Sequence, residues 1–134
     1  MKKKIQKPRS KPFFCHDENL EFYSLRKSCA GRALFQSFVK LMKKQGTKDP
    51  KAISECNKND KHIITHNTKD FQNPISKIKI GIVCIGLKSE SNWPPKFLKL
   101  LKHYPKHENY YYKNMLIDNS ITIKDRRTKE VNII

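Results

Sequence analysis

The run Ile78-Lys79-Ile80-Gly81-Ile82-Val83-Cys84-Ile85 is apolar at nearly every position. A strand of this kind is buried on both faces, as in parallel sheets covered by helices. The rest of the chain agrees. Pro12 to His16 reads as a short buried strand, and His62-Ile63-Ile64-Thr65 as another, ending at His66-Asn67. Between them lie helical patterns. Leu20, Tyr23, Leu25 and Cys29 recur at helical spacing, as do Leu34, Phe35, Phe38, Leu41 and Met42. That periodicity predicts helix from Glu18 to about Gln45, interrupted near Gly31 and stopped by Gly46. Asp49 before Pro50 marks the start of a further helix carrying Ala52, Ile53 and Cys56, ended by Asn59-Asp60. Ser91-Asn92 before Trp93 begins another, with Phe97, Leu98, Leu100 and Leu101 as its apolar face and Pro105 as its stop. Tyr110 to Ile123 reads as a hairpin turning at Asp118-Asn119.

Strands separated by helices imply βαβ units. The expected fold is an α/β/α sandwich, three layers with a mainly parallel sheet, plus a C-terminal hairpin. Residues 1–11 form a basic arm, 12–127 a single domain, and 128–134 a polar tail. In open parallel sheets ligands bind beyond the carboxyl ends of the strands, so the residues that follow each strand matter most.

Of 134 residues, 29 are Lys or Arg and 12 are Asp or Glu, a net charge of +17 with histidine neutral. The excess favours polyanionic partners, nucleic acid first. Lysine dominates it, which is also what an AT-rich genome produces. No apolar run is long enough to span a membrane, and no apolar signal core follows the basic start. Cys15, Cys29, Cys56 and Cys84 lack zinc-binding spacing and sit in apolar or helical contexts, as buried thiols do in a reduced cytoplasmic setting. His103 and His107 are four apart, but Pro105 between them breaks a shared helix face.

The scarce acids carry more information. Asp17 and Asp70 fall at predicted strand ends, and Asp49 begins the helix that feeds the second strand. Clustered carboxylates repel one another unless a cation neutralises them. Mg²⁺ or Mn²⁺ takes oxygen ligands beside phosphate, and supports metal-assisted phosphodiester hydrolysis. The plainer alternative stays open: Asp49 as an N-cap, with Asp17 and Asp70 capping turns.

Phe13-Phe14-Cys15-His16-Asp17-Glu18-Asn19-Leu20 resembles the first strand of PIN-like domains, in the short subgroup that opens with Asp-Glu-Asn-Leu. Thr47-Lys48-Asp49-Pro50-Lys51-Ala52-Ile53 resembles the family's middle motif. Ile63-Ile64-Thr65-His66-Asn67-Thr68-Lys69-Asp70-Phe71 resembles its most specific segment. The three occur in the family's order, and the resemblance spans roughly residues 12–127. It implies a Mg²⁺- or Mn²⁺-dependent endonuclease of single-stranded RNA, often the toxin of a toxin–antitoxin pair. Carried over, Asp17, Asp49 and Asp70 are the metal ligands, and Asn67 stands where many members have Asp. Glu18 and Glu55 are further possible ligands.

RNA contact is expected from Lys48, Lys69, Arg26 and Lys27, while Arg126-Arg127 reads either as a phosphate contact or, more simply, as a solvated tail. A chain this basic suits an acidic antitoxin partner. Phe35, Phe38 and Met42 read as core or as a dimer face, so monomer and homodimer both stand. With Asn67 in place of an acid, the alternative is a catalytically weakened PIN-like module that binds nucleic acid or a partner protein. A flavodoxin-like domain fits less well, because no glycine-rich loop follows the first strand and the chain has only four glycines.

Overall fold

The computed structural model describes residues 11–16, 20–37, 49–66, 78–87 and 92–134. The strands are β1 (Phe13–His16), β2 (Leu34–Ser37), β3 (His62–Thr65), β4 (Ile82–Ile85), β5 (Lys113–Ile117), β6 (Ile121–Asp125) and β7 (Val131–Ile133). The helices are α1 (Leu20–Ser28), α2 (Asp49–Lys58) and α3 (Trp93–His103), with a 3₁₀ turn at His107–Tyr110. All seven strands form one sheet in the order β2-β1-β3-β4-β5-β6-β7. β1 to β5 are parallel, and β6 and β7 add antiparallel at one edge.

Alternation along the strands divides the core between two faces. Phe14, Ile64, Val83, Ile85, Met115 and Ile117 pack with Phe22 and Leu25 of α1 and Trp93, Phe97 and Leu100 of α3. Cys15, Ile63, Ile82 and Cys84 pack with Ile53 and Cys56 of α2 on the other face. β3 and β4 are buried at every position because helices cover both sides of them. The α/β fold with a mostly parallel sheet follows the expectation from sequence.

Four local expectations are corrected. The first concerns the helix expected from Glu18 to about Gln45, of which residues 38–45, with Phe38, Leu41 and Met42, lie outside the described residues. α1 ends at Ser28, and Gly31, at φ +85°, takes the left-handed conformation that turns the chain out of the helix. The chain then forms edge strand β2, whose Phe35 stacks 5.9 Å from Phe14 while Leu34 is exposed. Leu34-Phe35 suits either period, so four residues cannot separate them. On α1 the core-facing residues are Phe22, Leu25 and Cys29, and Tyr23 lies outside that face.

Second, only the latter half of the run from Ile78 to Ile85 pairs as a strand. The Asn57 side-chain oxygen accepts from the N–H groups of Lys79 (2.8 Å) and Ile80 (3.4 Å). Gly81 lies so close to the Tyr110 carbonyl that a Cβ there would collide with it.

Third, the hairpin starts at Lys113 rather than Tyr110. Tyr110 is a buried core residue whose hydroxyl donates to the Tyr104 carbonyl at 2.8 Å. Fourth, the expected tail contains β7. The Asp125 carboxylate accepts from the N–H groups of Arg127 (2.8 Å) and Thr128 (3.1 Å), and this turn returns the chain to the sheet.

Arg126 is not a solvated phosphate ligand. It is buried, and its guanidinium donates to the carbonyls of Lys113 (3.1 Å), Ile78 (3.1 Å) and Ile80 (2.6 Å) and to the Asn114 side chain (2.6 Å). Burial lowers its pKa to about 10. It ties the hairpin to the irregular segment that leads into β4.

Candidate functional site

The parallel strands present an amino end and a carboxyl end, and the two differ in chemistry. At the carboxyl end β1 and β3 lie side by side, in the register Phe14↔His62 and Cys15↔Ile63. From β1 the chain passes through α1 to β2 on one side, and from β3 it passes to β4 on the other. The connections diverge at this point, which is where a crevice opens in doubly wound sheets.

His16 ends β1 and Thr65 ends β3, so Asp17 directly follows one strand and His66-Asn67 the other. Asp17, Lys48, Asn67, Lys69 and Asp70 lie outside the described residues. α2 joins two strands that point the same way, β2 and β3, so it returns antiparallel to them. Its first residue, Asp49, therefore lies toward the carboxyl end, though its side chain is outside the described set. Among the described residues, no three His, Cys, Asp or Glu side chains gather as a metal-binding group.

The described side chains at this end form a connected row of rings. His16, buried at the end of β1, stacks on Phe22 at 5.2 Å. Phe22 lies 5.2 Å from Trp93, and Trp93 lies 5.2 Å from His66. Trp93 is fixed by its indole N–H, which donates to the Leu87 carbonyl at 3.0 Å. His66 is exposed, and its Nδ1 is 2.7 Å from the Ile85 carbonyl oxygen. A carbonyl only accepts, so Nδ1 carries the proton and Nε2 carries the lone pair in the neutral ring.

The expected RNA-contacting residues Arg26 and Lys27 occupy the last turn of α1. Arg26 Cζ lies 5.3 Å from the centre of the Tyr23 ring, and Lys27 is exposed. His16, His66, Tyr23 and Trp93 were not among the site residues expected from sequence. The available signal was the position of the two histidines, each at the end of a predicted strand and close to a motif acid.

The amino end is different. His62 accepts the Gly81 N–H at Nδ1 (2.8 Å), and its Nε2 donates to the His107 carbonyl (2.8 Å). His107 accepts the Phe13 N–H at Nδ1 (3.1 Å) and meets Asp60 Oδ1 through Nε2 at 3.3 Å. The two rings stack at 4.0 Å. The Tyr111 hydroxyl also donates to Asp60, at 2.7 Å. Partial burial disfavours the Asp60 carboxylate, but Tyr111 and His107 outweigh it and hold its pKa below the usual value. Each Nδ1 is occupied as an acceptor, so this cluster joins the starts of β1, β3 and β4 and leaves no base free for chemistry.

The four cysteines are buried. Burial raises the Cys29 pKa to about 11 and that of Cys84 to about 12. The Cys56 thiol is raised by its hydrogen bond with Cys15 and then by burial. Thiols held neutral in this way are not nucleophiles. Among the described residues no helix is long and apolar enough to cross a membrane. The chain matches no family model, no curated protein and no solved structure.

Proposed function

We propose that this chain is a metal-dependent endoribonuclease of PIN-like type that cleaves phosphodiester bonds in single-stranded RNA. One observation carries the reading: β1 and β3 are parallel neighbours at the point where the connections diverge, and each is followed directly by a segment bearing a motif acid. Asp17, Asp49 and Asp70 would hold the cation, with Asn67 orienting a ligand or water. A donor set of carboxylate oxygens suits Mg²⁺ or Mn²⁺, which when bound supplies an activated water and stabilises charge on the leaving oxygen. His66 is the described residue best placed to exchange a proton with the reacting groups. Lys48, Lys69, Arg26 and Lys27 supply cationic charge for the RNA backbone. The toxin role, with an acidic antitoxin as partner, belongs to the same reading and draws on the +17 charge.

The order 2-1-3-4-5 of the parallel strands is also that of flavodoxin-like domains. The segment after β1 argues against that class. It reads Asp17-Glu18-Asn19, which offers carboxylates where a phosphate cradle needs glycines.

The test is cleavage of single-stranded RNA with Mg²⁺ or Mn²⁺, compared with EDTA and with Asp17→Asn and Asp70→Asn. Activity that needs the metal and is lost in both variants is expected. Cleavage that persists in EDTA or in both variants overturns the mechanism. Absence of cleavage with every metal favours the alternative, a module that binds nucleic acid or a partner protein.

A further inference from the structure

Tyr23 departs from the pattern of its helix. Helical spacing in the sequence assigns it to the core with Leu25 and Cys29, yet it is 41% exposed while Phe22 and Leu25 are 1% exposed. It is one of four exposed large hydrophobic residues among those described; the others are Leu34 on edge strand β2 and Val131 and Ile133 on edge strand β7. Tyr23 differs from those three by sitting on a helix, in the first turns of α1, against the last residue of β1.

Its ring has two described neighbours. It meets His16 edge to face, at 5.8 Å and 86°. His16 is the last residue of β1 and immediately precedes Asp17. Arg26, three residues along the helix, places its guanidinium carbon 5.3 Å from the ring centre. Residues three apart on a helix are surface neighbours, so the pair forms one continuous patch. Lys27 and Arg32 are exposed nearby in sequence and add positive charge.

An exposed ring set against the last side chain of β1, beside a cation, has the composition of a platform for single-stranded nucleic acid. Bases stack on the aromatic ring, and cationic side chains follow the phosphates. We propose that Tyr23 stacks on a nucleobase of single-stranded RNA lying against α1 and the end of β1, with Arg26 contacting the adjoining phosphate. This rests on the ribonuclease reading for what the RNA is doing there. It goes further by naming the residue that positions the strand. Because every base has a π-face, the platform binds without sequence preference.

The test is fluorescence anisotropy with the full chain and a labelled ten-nucleotide oligo(A) RNA, in EDTA so that no cleavage occurs. Tyr23→Ala is expected to weaken binding by roughly tenfold or more, while Tyr23→Phe and Tyr23→Trp stay close to wild type. Arg26→Gln is expected to weaken binding and to flatten the slope of log affinity against log salt by about 0.7. Val131→Ala, an exposed apolar change on β7, leaves binding unchanged. An oligomer of the same length lacking bases is expected to bind wild type more weakly and to be insensitive to Tyr23→Ala, and the wild-type half of that comparison does not depend on any variant folding. Equal binding of wild type and a folded Tyr23→Ala, or equal wild-type binding of the two oligomers, overturns the proposal. Metal-dependent cleavage with no Tyr23 effect on binding rejects the platform and leaves the ribonuclease reading standing. A Tyr23 effect without cleavage under any metal supports the platform and rejects the ribonuclease.

Discussion

At the amino end of the sheet, His62 and His107 each have both ring nitrogens engaged, by backbone groups or by Asp60. At the carboxyl end His66 gives one nitrogen to the Ile85 carbonyl and is exposed to solvent. The same side chain is thus held in two ways in one sheet. Where both nitrogens are engaged, histidine is a joint that fixes the starts of strands. Where one nitrogen is anchored and the ring is exposed, it is open to solvent, and under the proposed reading it is the reagent. Arginine repeats the contrast. Arg126 is buried at the amino end and donates to three carbonyls, whereas Arg26, in the last turn of α1, lies beside the exposed Tyr23 ring. Residue type alone therefore does not set how these side chains are held; their place in the fold does.

This contrast can be broken most strongly at Arg126. Arg126→Ala leaves the Ile78 and Ile80 carbonyls without their donor and is expected to remove about 3 kcal/mol of stability, read from the urea midpoint. Cleavage per folded molecule should be unchanged. His107→Ala strands the Phe13 N–H and removes one partner of Asp60, for a smaller loss of about 2 kcal/mol on the same measurement. At the carboxyl end the order reverses. His66→Ala should shift stability by no more than about 1 kcal/mol, while RNA cleavage falls by roughly a hundredfold. If His66→Ala is the destabilising variant and His107→Ala the inactive one, the assignment of the two ends is inverted.

The smallest expected effect is in acid. The Asp60 pKa is lower in the fold than the ordinary 3.8. Its ionised form is therefore favoured by folding, and the stability it contributes is complete above the ordinary value. That contribution is lost as pH falls below 3.8 and through the depressed folded value. Asp60→Asn should flatten this part of the stability–pH curve, followed by urea unfolding at a series of acid pH values. An unchanged acid limb would remove Asp60 from the amino-end cluster.

The central architecture was legible because its signals were redundant. Ile63-Ile64 and Ile82 to Ile85 are apolar at successive positions, and Asp49-Pro50 and Trp93-Pro94-Pro95 mark helix starts. The edges were not legible. β2 and β7 each pair on one side only and bury few residues, so period-2 alternation is weak in them. The break at Gly81 comes from contact with Tyr110, 29 positions away, and the burial of Arg126 comes from carbonyls of Ile78 and Ile80. Neither partner is near in sequence, and a window of neighbours cannot supply it. At the candidate site, Asp17 and Asp70 stand out in the sequence by their places after strands, and both lie outside the described residues. The exposure of Tyr23 could not be read, because helical spacing groups it with Leu25 and Cys29, and only its angle around α1 separates it from them.

The most direct measurement is titration of Mn²⁺ into isotopically labelled protein, following paramagnetic broadening residue by residue. A cation held at the carboxyl end broadens His16, His66 and Gly86 first, leaves His62, His107 and Tyr111 sharp, and loses its effect in Asp17→Asn and Asp70→Asn. Broadening centred on the Asp60–His107 cluster, or broadening at His66 that survives both substitutions, would contradict it.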